Sequence, residues 1–206
     1  MHLLTIKLKG ASLLLLVLFI VVALPFGFVF CSNKRYSMNS REIRSILRSK
    51  LGSSFLGVFA SDQVPEKVET LPAALVVNTD PSNKPGTHWV AVYIDSNNSA
   101  DYFDSYGLKP KIPSVLQLLE ACDDWAYNGK QIQGYISSVC GHYSVYFLLQ
   151  RANGMSMDAI LQKFGNDFEE NDEAVTEWLN ESFDMDTETY DTEFLLNQVC
   201  VALFSK

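Results

Sequence analysis

Apolar residues are distributed unevenly along this chain of 206 residues. Residues 11–30 form an unbroken run of apolar or small residues, and a helix of about 20 such residues can span a bilayer. The chain beyond residue 35 mixes apolar and polar positions, and a stretch of about 170 residues suits one compact domain. We therefore expect a hydrophobic segment over residues 1–35, as a signal anchor or transmembrane helix, and a folded domain over residues 36–206.

The alternation of polar and apolar residues after position 87 predicts an antiparallel hairpin. In the run 88–95, positions 88, 90, 92 and 94 share one face, and a second extended run at 102–106 returns after a turn at 96–99. A symmetric loop of two or four residues would place Asp104 opposite Ala91, on the face away from His88. Pairing of His88 with Asp104 therefore requires an odd loop or a bulge, or else a twist at the His88 end.

The remaining periodicity predicts several helices and few further strands. A buried strand is expected at 74–78, and a short strand or extended segment at 130–136. Helical spacing and end signals, with Ser40 as a candidate cap, predict helices over 40–51, 113–125, 140–152, 156–164, 172–180 and 193–204. This mixture indicates an α+β fold, a small and mainly antiparallel sheet flanked by helices.

Basic residues around the apolar run predict its orientation. Six Lys or Arg residues lie between positions 34 and 50, more than precede the run. The positive-inside rule then predicts a single-pass membrane protein with its folded domain in the cytosol. Two alternatives stay open: a cleaved signal peptide, whose basic start would be Lys7 and Lys9, and a wrong gene start without a role.

Charge and cysteine spacing narrow the function classes. The net charge is −8, and the stretch between Lys163 and Lys206 holds twelve acidic residues and no Lys or Arg. An acidic face repels phosphate, which argues against nucleic acid as a partner. The four cysteines show no Cys-x-x-Cys spacing, so the sequence indicates no zinc site and no disulfide framework. A reducing compartment is the simpler expectation.

One cysteine stands in a chemically informative setting. Gln133 precedes Cys140 by seven residues, and Cys140 opens an apolar run with helical character. A thiol at a helix start meets unpaired backbone N–H groups and the positive end of the dipole, which favours the thiolate. Cys140 is the candidate nucleophile, although a lone cysteine is more often a buried apolar residue. Gln133 and the Cys140 N–H are candidate oxyanion donors, with Gln131 as the competing amide.

His88 is the candidate general base. The chain has three histidines; His2 precedes the apolar run, and His142 follows Cys140 by two helical positions, so it points to another side. A base at His88 would take the thiol proton and return one to the leaving amine.

Asp104 is the candidate group that orients the imidazole. It would accept a hydrogen bond from the distal ring nitrogen and fix the tautomer. Asp95 and Asp101 compete for this role, but both lie near the predicted hairpin tip, away from His88. Trp89 either shields the site or belongs to the core.

In their order along the chain, these motifs resemble the adenovirus-type endopeptidase (adenain) family of the Ulp1-like cysteine protease clan. The resemblance covers residues 52–179 and is carried by His88-Trp89, residues 102–107, Gln133-Gly134 and residues 137–141. SUMO proteases of this clan usually carry Asp-Cys-Gly with the glutamine six residues before the cysteine. Val139 precedes Cys140 here, which favours the adenovirus-like branch, including Polinton/Maverick-type proteases.

The resemblance implies a fold, an activity and a substrate. It implies an Ulp1/adenain-like α+β fold and a cysteine endopeptidase with a Cys-His-Asp triad and a Gln oxyanion hole. Its substrates would be viral or transposon-like precursor polypeptides with small residues at the cleavage site, bound beside residues 55–57. No cofactor is required for this chemistry.

The resemblance also implies a mode of activation, and two alternative functions stay open. Viral members use an activating peptide linked by a disulfide, and Cys122 lies in the corresponding segment, so an activating peptide there is an expectation. The alternatives are a deSUMOylase-like isopeptidase that acts on ubiquitin-like proteins, and an inactive membrane-tethered binding module. If residues 11–30 are not an anchor, a virion or nuclear location replaces the membrane.

Overall fold

Five strands form one sheet with helices on both faces in the computed structural model, which describes residues 37–183. The helices are α1 (Ser40–Leu51), α2 (Pro113–Glu120), α3 (Cys140–Ala152), α4 (Met157–Leu161) and α5 (Phe168–Phe183). The strands are β1 (Phe55–Ala60), β2 (Ala73–Asn78), β3 (Trp89–Ile94), β4 (Ser99–Phe103) and β5 (Asp124–Tyr127), and a 3-10 turn at Gly52–Ser54 leads into β1.

The strands follow one another across the sheet in chain order. The two inner pairings, β2 with β3 and β3 with β4, are antiparallel, whereas the outer pairings of β1 with β2 and β4 with β5 are parallel. The predicted α+β class is confirmed. The predicted hairpin forms its antiparallel centre, and the parallel outer strands make the sheet mixed.

The hairpin between β3 and β4 closes through an odd loop. Ala91 pairs with Phe103 and Ile94 with Ala100, and the Asp95 N–H donates to the Ser99 carbonyl oxygen at 2.9 Å. Three residues, 96–98, therefore form the turn. The prediction of an odd loop is confirmed.

This register decides which side chains meet beyond the strand ends. Continued past Phe103, it places position 104 opposite position 90, in the same alternation as position 88. Asp104 and His88 therefore share one side of the hairpin, which a loop of even length would prevent.

Two apolar cores lie on opposite faces of the sheet. Alternate residues of β2 and β3, including Ala74, Val76 and Ala91, pack in the core that contains α1, α3 and α5. Their neighbours, including Leu75 and Val92, pack in the core that contains α2. Helix α3 is buried at every position from Cys140 to Leu149, so its first residue is held from several directions.

Several predicted boundaries are wrong. Helix α2 ends at Glu120 rather than at 125, because Trp125 belongs to β5, which pairs with β4. Helix α1 is capped by Asn39 rather than Ser40: the Asn39 side chain accepts from the Glu42 N–H, and Glu42 accepts from the Asn39 N–H. Residues 130–136 form no strand, helix α4 is shorter than predicted and helix α5 longer.

Two predicted helices lie outside the described residues, namely the apolar run at 11–30 and the segment 193–204. From residue 37 to residue 183, each helix is too short or too polar to cross a bilayer.

Gly141, the second residue of α3, sits in a close contact. A Cβ atom there would lie 2.9 Å from Met38 Cβ, and 3.3 Å from both Ile43 Cδ1 and Trp89 Cδ1. Met38 is itself fixed, because its carbonyl oxygen accepts from the Trp89 indole N–H at 3.1 Å. The absence of a side chain at Gly141 lets α3 approach α1 and the start of β3.

We expect Gly141→Ala to destabilise the protein, because the added methyl group must displace Met38 or shift α3. Overpacking of this kind costs about 1–3 kcal/mol, measured by urea unfolding. Gly129→Ala is the matched control, since a Cβ at Gly129 meets nothing within 4 Å. Equal stability of the two variants would contradict the close approach at Gly141.

Candidate active site

Three elements end at the edge of the sheet where the candidate residues meet. His88 directly precedes β3 and Asp104 directly follows β4. Because these strands are antiparallel, the start of one and the end of the other lie at the same edge. Cys140 is the first residue of α3, and its side chain lies close enough to the His88 imidazole to help raise the pKa of that ring. The structure thus brings together the predicted nucleophile, base and acid.

Asp104 holds the far side of the imidazole. The distance from His88 Nε2 to Asp104 Oδ1 is 2.9 Å. The same oxygen accepts from the Tyr106 backbone N–H, also at 2.9 Å, and the Asp104 side chain is buried. With Nε2 engaged by the carboxylate, Nδ1 is the nitrogen left for the sulfur of Cys140.

Two opposing effects set the charge of His88. Burial lowers the pKa of His88, but hydrogen bonds and negative charge from Asp104 and Cys140 outweigh it and raise the pKa to about 9. A histidine of this kind stays protonated at neutral pH. The arrangement therefore favours an imidazolium beside a sulfur that can carry negative charge.

The amide of Gln133 lies in the same region but is already hydrogen-bonded. Its Nε2 donates to the Ser137 carbonyl oxygen at 3.1 Å and to Ser137 Oγ at 3.0 Å. Its Oε1 accepts from Ser105 Oγ at 2.5 Å. The competing amide, Gln131, donates to the Gln133 carbonyl oxygen at 2.8 Å, so it supports the backbone of Gln133.

The loop that carries Asp104 is hydrogen-bonded to the loop that carries Gln133. The Ser105 carbonyl oxygen accepts from the N–H groups of Ile132 at 2.9 Å and Gln133 at 3.1 Å. Gly107, at a φ of +69°, comes so close that a Cβ there would lie 2.7 Å from the Lys130 carbonyl carbon. The acid and the amide are therefore fixed relative to each other by backbone contacts.

Asn128 is a supporting residue that the sequence did not reveal. Its Oδ1 accepts from the Asp104 N–H at 2.7 Å, and its Nδ2 donates to the Asp104 carbonyl oxygen at 2.6 Å. This buried side chain therefore holds the backbone of Asp104 from both sides. In the sequence, Asn128 followed by Gly129 predicts a turn and gives no sign of a contact with Asp104.

The competing acidic residues are engaged elsewhere. Asp95 accepts from the N–H groups of Asn97 and Ser99 in the hairpin turn. Asp101 forms an ion pair with Arg151 at 2.7 Å. Neither carboxylate is paired with His88 in these contacts, in agreement with the choice of Asp104.

His142 has the properties of a core residue. It is buried, its Nδ1 has no hydrogen-bond partner, and burial lowers its pKa to about 4. A histidine that stays neutral at neutral pH cannot share an ion pair with the Cys140 sulfur.

Cys122 lies in the turn after α2 and is partly buried against the second core. Its Sγ donates to the Leu118 carbonyl oxygen at 3.5 Å. Burial, together with the charge of Asp123, raises the pKa of this thiol, which lowers its thiolate fraction.

A cleft of about 360 Å³ opens at the candidate nucleophile. It is lined by Ser37, Met38, Asn39, Ser40, Asn78, Pro85, Gly86, Thr87, Trp89, Tyr106, Ser137, Ser138 and Cys140. A substrate groove was expected beside residues 55–57, but these residues do not line this cleft. Phe55 is fully buried because it packs into the core that contains α1.

Comparison with curated proteins finds similarity to one viral protein, and no family model matches the chain. The similar protein is from Acanthamoeba polyphaga mimivirus, and its name describes it as a thiol protease. The two are 31% identical over 99 residues, which is 43% of this chain and 32% of the mimivirus protein. The similarity thus spans about a third of the relative's length.

Comparison with solved structures finds partial likenesses. A crystal structure of an ASFV protease shares 21% sequence identity at a TM-score of 0.49, over 70% of this chain and 67% of that one. ChlaDub1 from Chlamydia trachomatis shares 16% identity at a TM-score of 0.43, over 54% and 60% of the two chains. At these TM-scores the likenesses carry no argument about function.

The pKa of His88 can be measured by NMR of the histidine rings. We expect the His88 ring to titrate near pH 9 and the His142 ring near pH 4. Asp104→Asn should lower the pKa of His88, because the variant removes the carboxylate charge. The pKa of His88 is raised above its usual value of about 6.5, so protonation of this ring adds to the free energy of unfolding. The added stability is complete below about pH 6.5 and is lost as the pH rises through about 9. Titration of His88 at or below its ordinary pKa would contradict the proposed ion pair.

Proposed function

We propose that this chain is a cysteine peptidase in which Cys140 attacks the carbonyl carbon of a peptide bond. One observation carries the proposal: the imidazole of His88 is hydrogen-bonded to the Asp104 carboxylate and lies beside the Cys140 side chain, which helps to raise the pKa of the ring. A thiol, a base and an orienting carboxylate in contact form the arrangement that nucleophilic catalysis by cysteine requires. The start of helix α3 adds the positive end of a helix dipole at the sulfur.

The chemistry then follows in two halves. The Cys140 thiolate adds to the carbonyl carbon, and the tetrahedral intermediate collapses to a thioester as protonated His88 gives its proton to the leaving amine. Neutral His88 next takes a proton from water, whose oxygen attacks the thioester and releases the acid product and the thiolate. Asp104 keeps the imidazole oriented and stabilises its charged form throughout.

Gln133 and the backbone N–H of Cys140 are the proposed oxyanion donors. The Gln133 Nε2 atom donates to the carbonyl oxygen and to the Oγ of Ser137, so a substrate oxyanion must compete with these bonds. The Ser105 hydroxyl holds the other end of the amide, which keeps Nε2 rather than Oε1 on the donating side. Electrostatic stabilisation of this kind is often the largest single contribution to such a reaction.

Similarity to the mimivirus protein supports a thiol protease. The processing of viral or transposon-like precursors is proposed on the resemblance of the sequence. The same site could hydrolyse the isopeptide bond of a ubiquitin-like conjugate, because the reacting amide is chemically the same. Trp89 and Ser138 line the cleft together with Cys140; the preference for small residues before the scissile bond is proposed on the resemblance of the sequence alone.

The proposals on location and activation rest on the sequence. A single-pass anchor at residues 11–30 with a cytosolic catalytic domain is retained as a proposal. An activating peptide at Cys122 is also a proposal, and the raised pKa of that thiol means that disulfide formation there would be slow at neutral pH. The chemistry at Cys140 needs no cofactor.

The peptidase is tested with a Gly-Gly peptide vinyl sulfone, which alkylates a catalytic thiolate. We expect mass spectrometry to find the adduct on buried Cys140 rather than on the more accessible Cys122, because activation and not exposure decides reactivity. Cys140→Ala should abolish both labelling and peptide cleavage, and His88→Ala should lower the cleavage rate by about 10²-fold or more.

Preferential labelling of Cys122, or cleavage that persists in Cys140→Ala, would overturn the proposal. Circular dichroism shows whether each variant remains folded. A panel that contains both Gly-Gly peptides and ubiquitin-like fusion proteins separates the two substrate classes. Absence of labelling and cleavage with every substrate would support the inactive binding module.

A further inference from the structure

Large apolar side chains are exposed beside the cleft. Among residues 37–183, the exposed large hydrophobics are Leu108 at 53%, Tyr135 at 79% and Ile136 at 103%. Tyr135 and Ile136 lie directly before Ser137 and Ser138, which line the cleft. Apolar groups left in water next to a functional site often mark a binding surface.

Three rings connect this exposed loop to the catalytic base. The rings of His88 and Tyr106 stack with centroids 4.8 Å apart and an interplanar angle of 28°. Tyr106 stacks in turn with Tyr135, at 6.1 Å and 13°. A row of aromatic rings therefore runs from the imidazole to the surface.

The loop that carries Tyr135 and Ile136 is closed at its base. The Ser137 N–H donates to the Gly134 carbonyl oxygen at 3.2 Å, and Ser137 Oγ donates to the same oxygen at 3.1 Å. Buried Gln133 adds its two bonds to Ser137. The two apolar side chains are thus held outward on a turn with a hydrogen-bonded base.

The position of His88 decides which part of a substrate reaches these rings. In the proposed reaction His88 gives its proton to the leaving amine, so the leaving segment must lie on the His88 side of Cys140. Tyr106 and Tyr135 continue outward from the His88 ring. The residues after the scissile bond therefore pass the aromatic row.

We propose that Tyr106, Tyr135 and Ile136 form a subsite, the leaving-side shelf, for a large apolar side chain in the substrate segment after the scissile bond. The shelf is continuous with the cleft through Tyr106. The inference rests on the proposed peptidase function, because the leaving segment is defined by that reaction. An apolar substrate side chain would remove Tyr135 and Ile136 from water and so gain affinity from their burial.

The test uses two internally quenched peptides, identical before the scissile bond and carrying leucine or serine at each of the three positions after it. We expect the wild-type protein to cleave the leucine peptide with a kcat/KM about 10-fold higher, the order of discrimination that an apolar pocket gives. Tyr135→Ser and Ile136→Ser should each reduce this ratio towards one. Leu108→Ser, a change at another exposed apolar residue outside the row of rings, should keep it.

Equal kcat/KM for the two peptides, or a ratio that Tyr135→Ser leaves unchanged, overturns the shelf while the peptidase stands. Sedimentation of the same variants tests self-association: a change of oligomeric state in Tyr135→Ser with an unchanged ratio also overturns it. Cleavage of neither peptide overturns the peptidase and the shelf together, so the two failures are distinguishable.

Discussion

The hydrogen bond between His88 and Asp104 is the interaction on which the rest of the site depends. Without the carboxylate, burial would drive the imidazole towards its neutral form, and the ring would give less support to negative charge that develops on the Cys140 sulfur. Asp104 can play this part because its own backbone is held by Asn128 on both sides. The junction between Ser105 and the chain before Gln133 extends the same constraint to the amide. One hydrogen-bonded network thus connects His88 and Asp104 with the amide of Gln133.

The fold supplies this network from the edge of a rigid frame. The sheet is packed on both faces, so the strand ends that carry His88 and Asp104 cannot easily shift. Helix α3 is buried along most of its length, and the close contact at Gly141 holds its first turn against the start of β3. His88 and Asp104 therefore lie one residue outside rigid strands, and Cys140 lies on the first turn of a buried helix. Precise geometry and access to solvent can coexist at such positions.

Much of this arrangement was predictable from the sequence because its signals are local. The apolar run after Cys140 predicts the start of helix α3. Positions 88 and 104 are both even-numbered, so they can share one face of the hairpin only if the loop has an odd number of residues. Asn128 acts on Asp104 across 24 residues of sequence, through bonds that leave no local pattern. Strand β5 is short and pairs in parallel with β4, so long-range pairing prevails over a helical pattern that would have continued to Trp125. Asn39 and Ser40 are adjacent candidates for the cap of helix α1. Asn39 is the cap because the Glu42 side chain accepts from its backbone N–H.

The arrangement of Cys140, His88 and Asp104 is tested most directly by a crystal structure of the protein with a peptide aldehyde bound at its reactive thiol. We expect a covalent bond to Cys140 Sγ, with the former carbonyl oxygen within hydrogen-bond distance of the Cys140 N–H and of Gln133 Nε2. His88 should lie between the adduct and Asp104, with its Nε2 still bonded to the carboxylate. An adduct at Cys122, or a His88 ring turned away from both Cys140 and Asp104, would contradict the account.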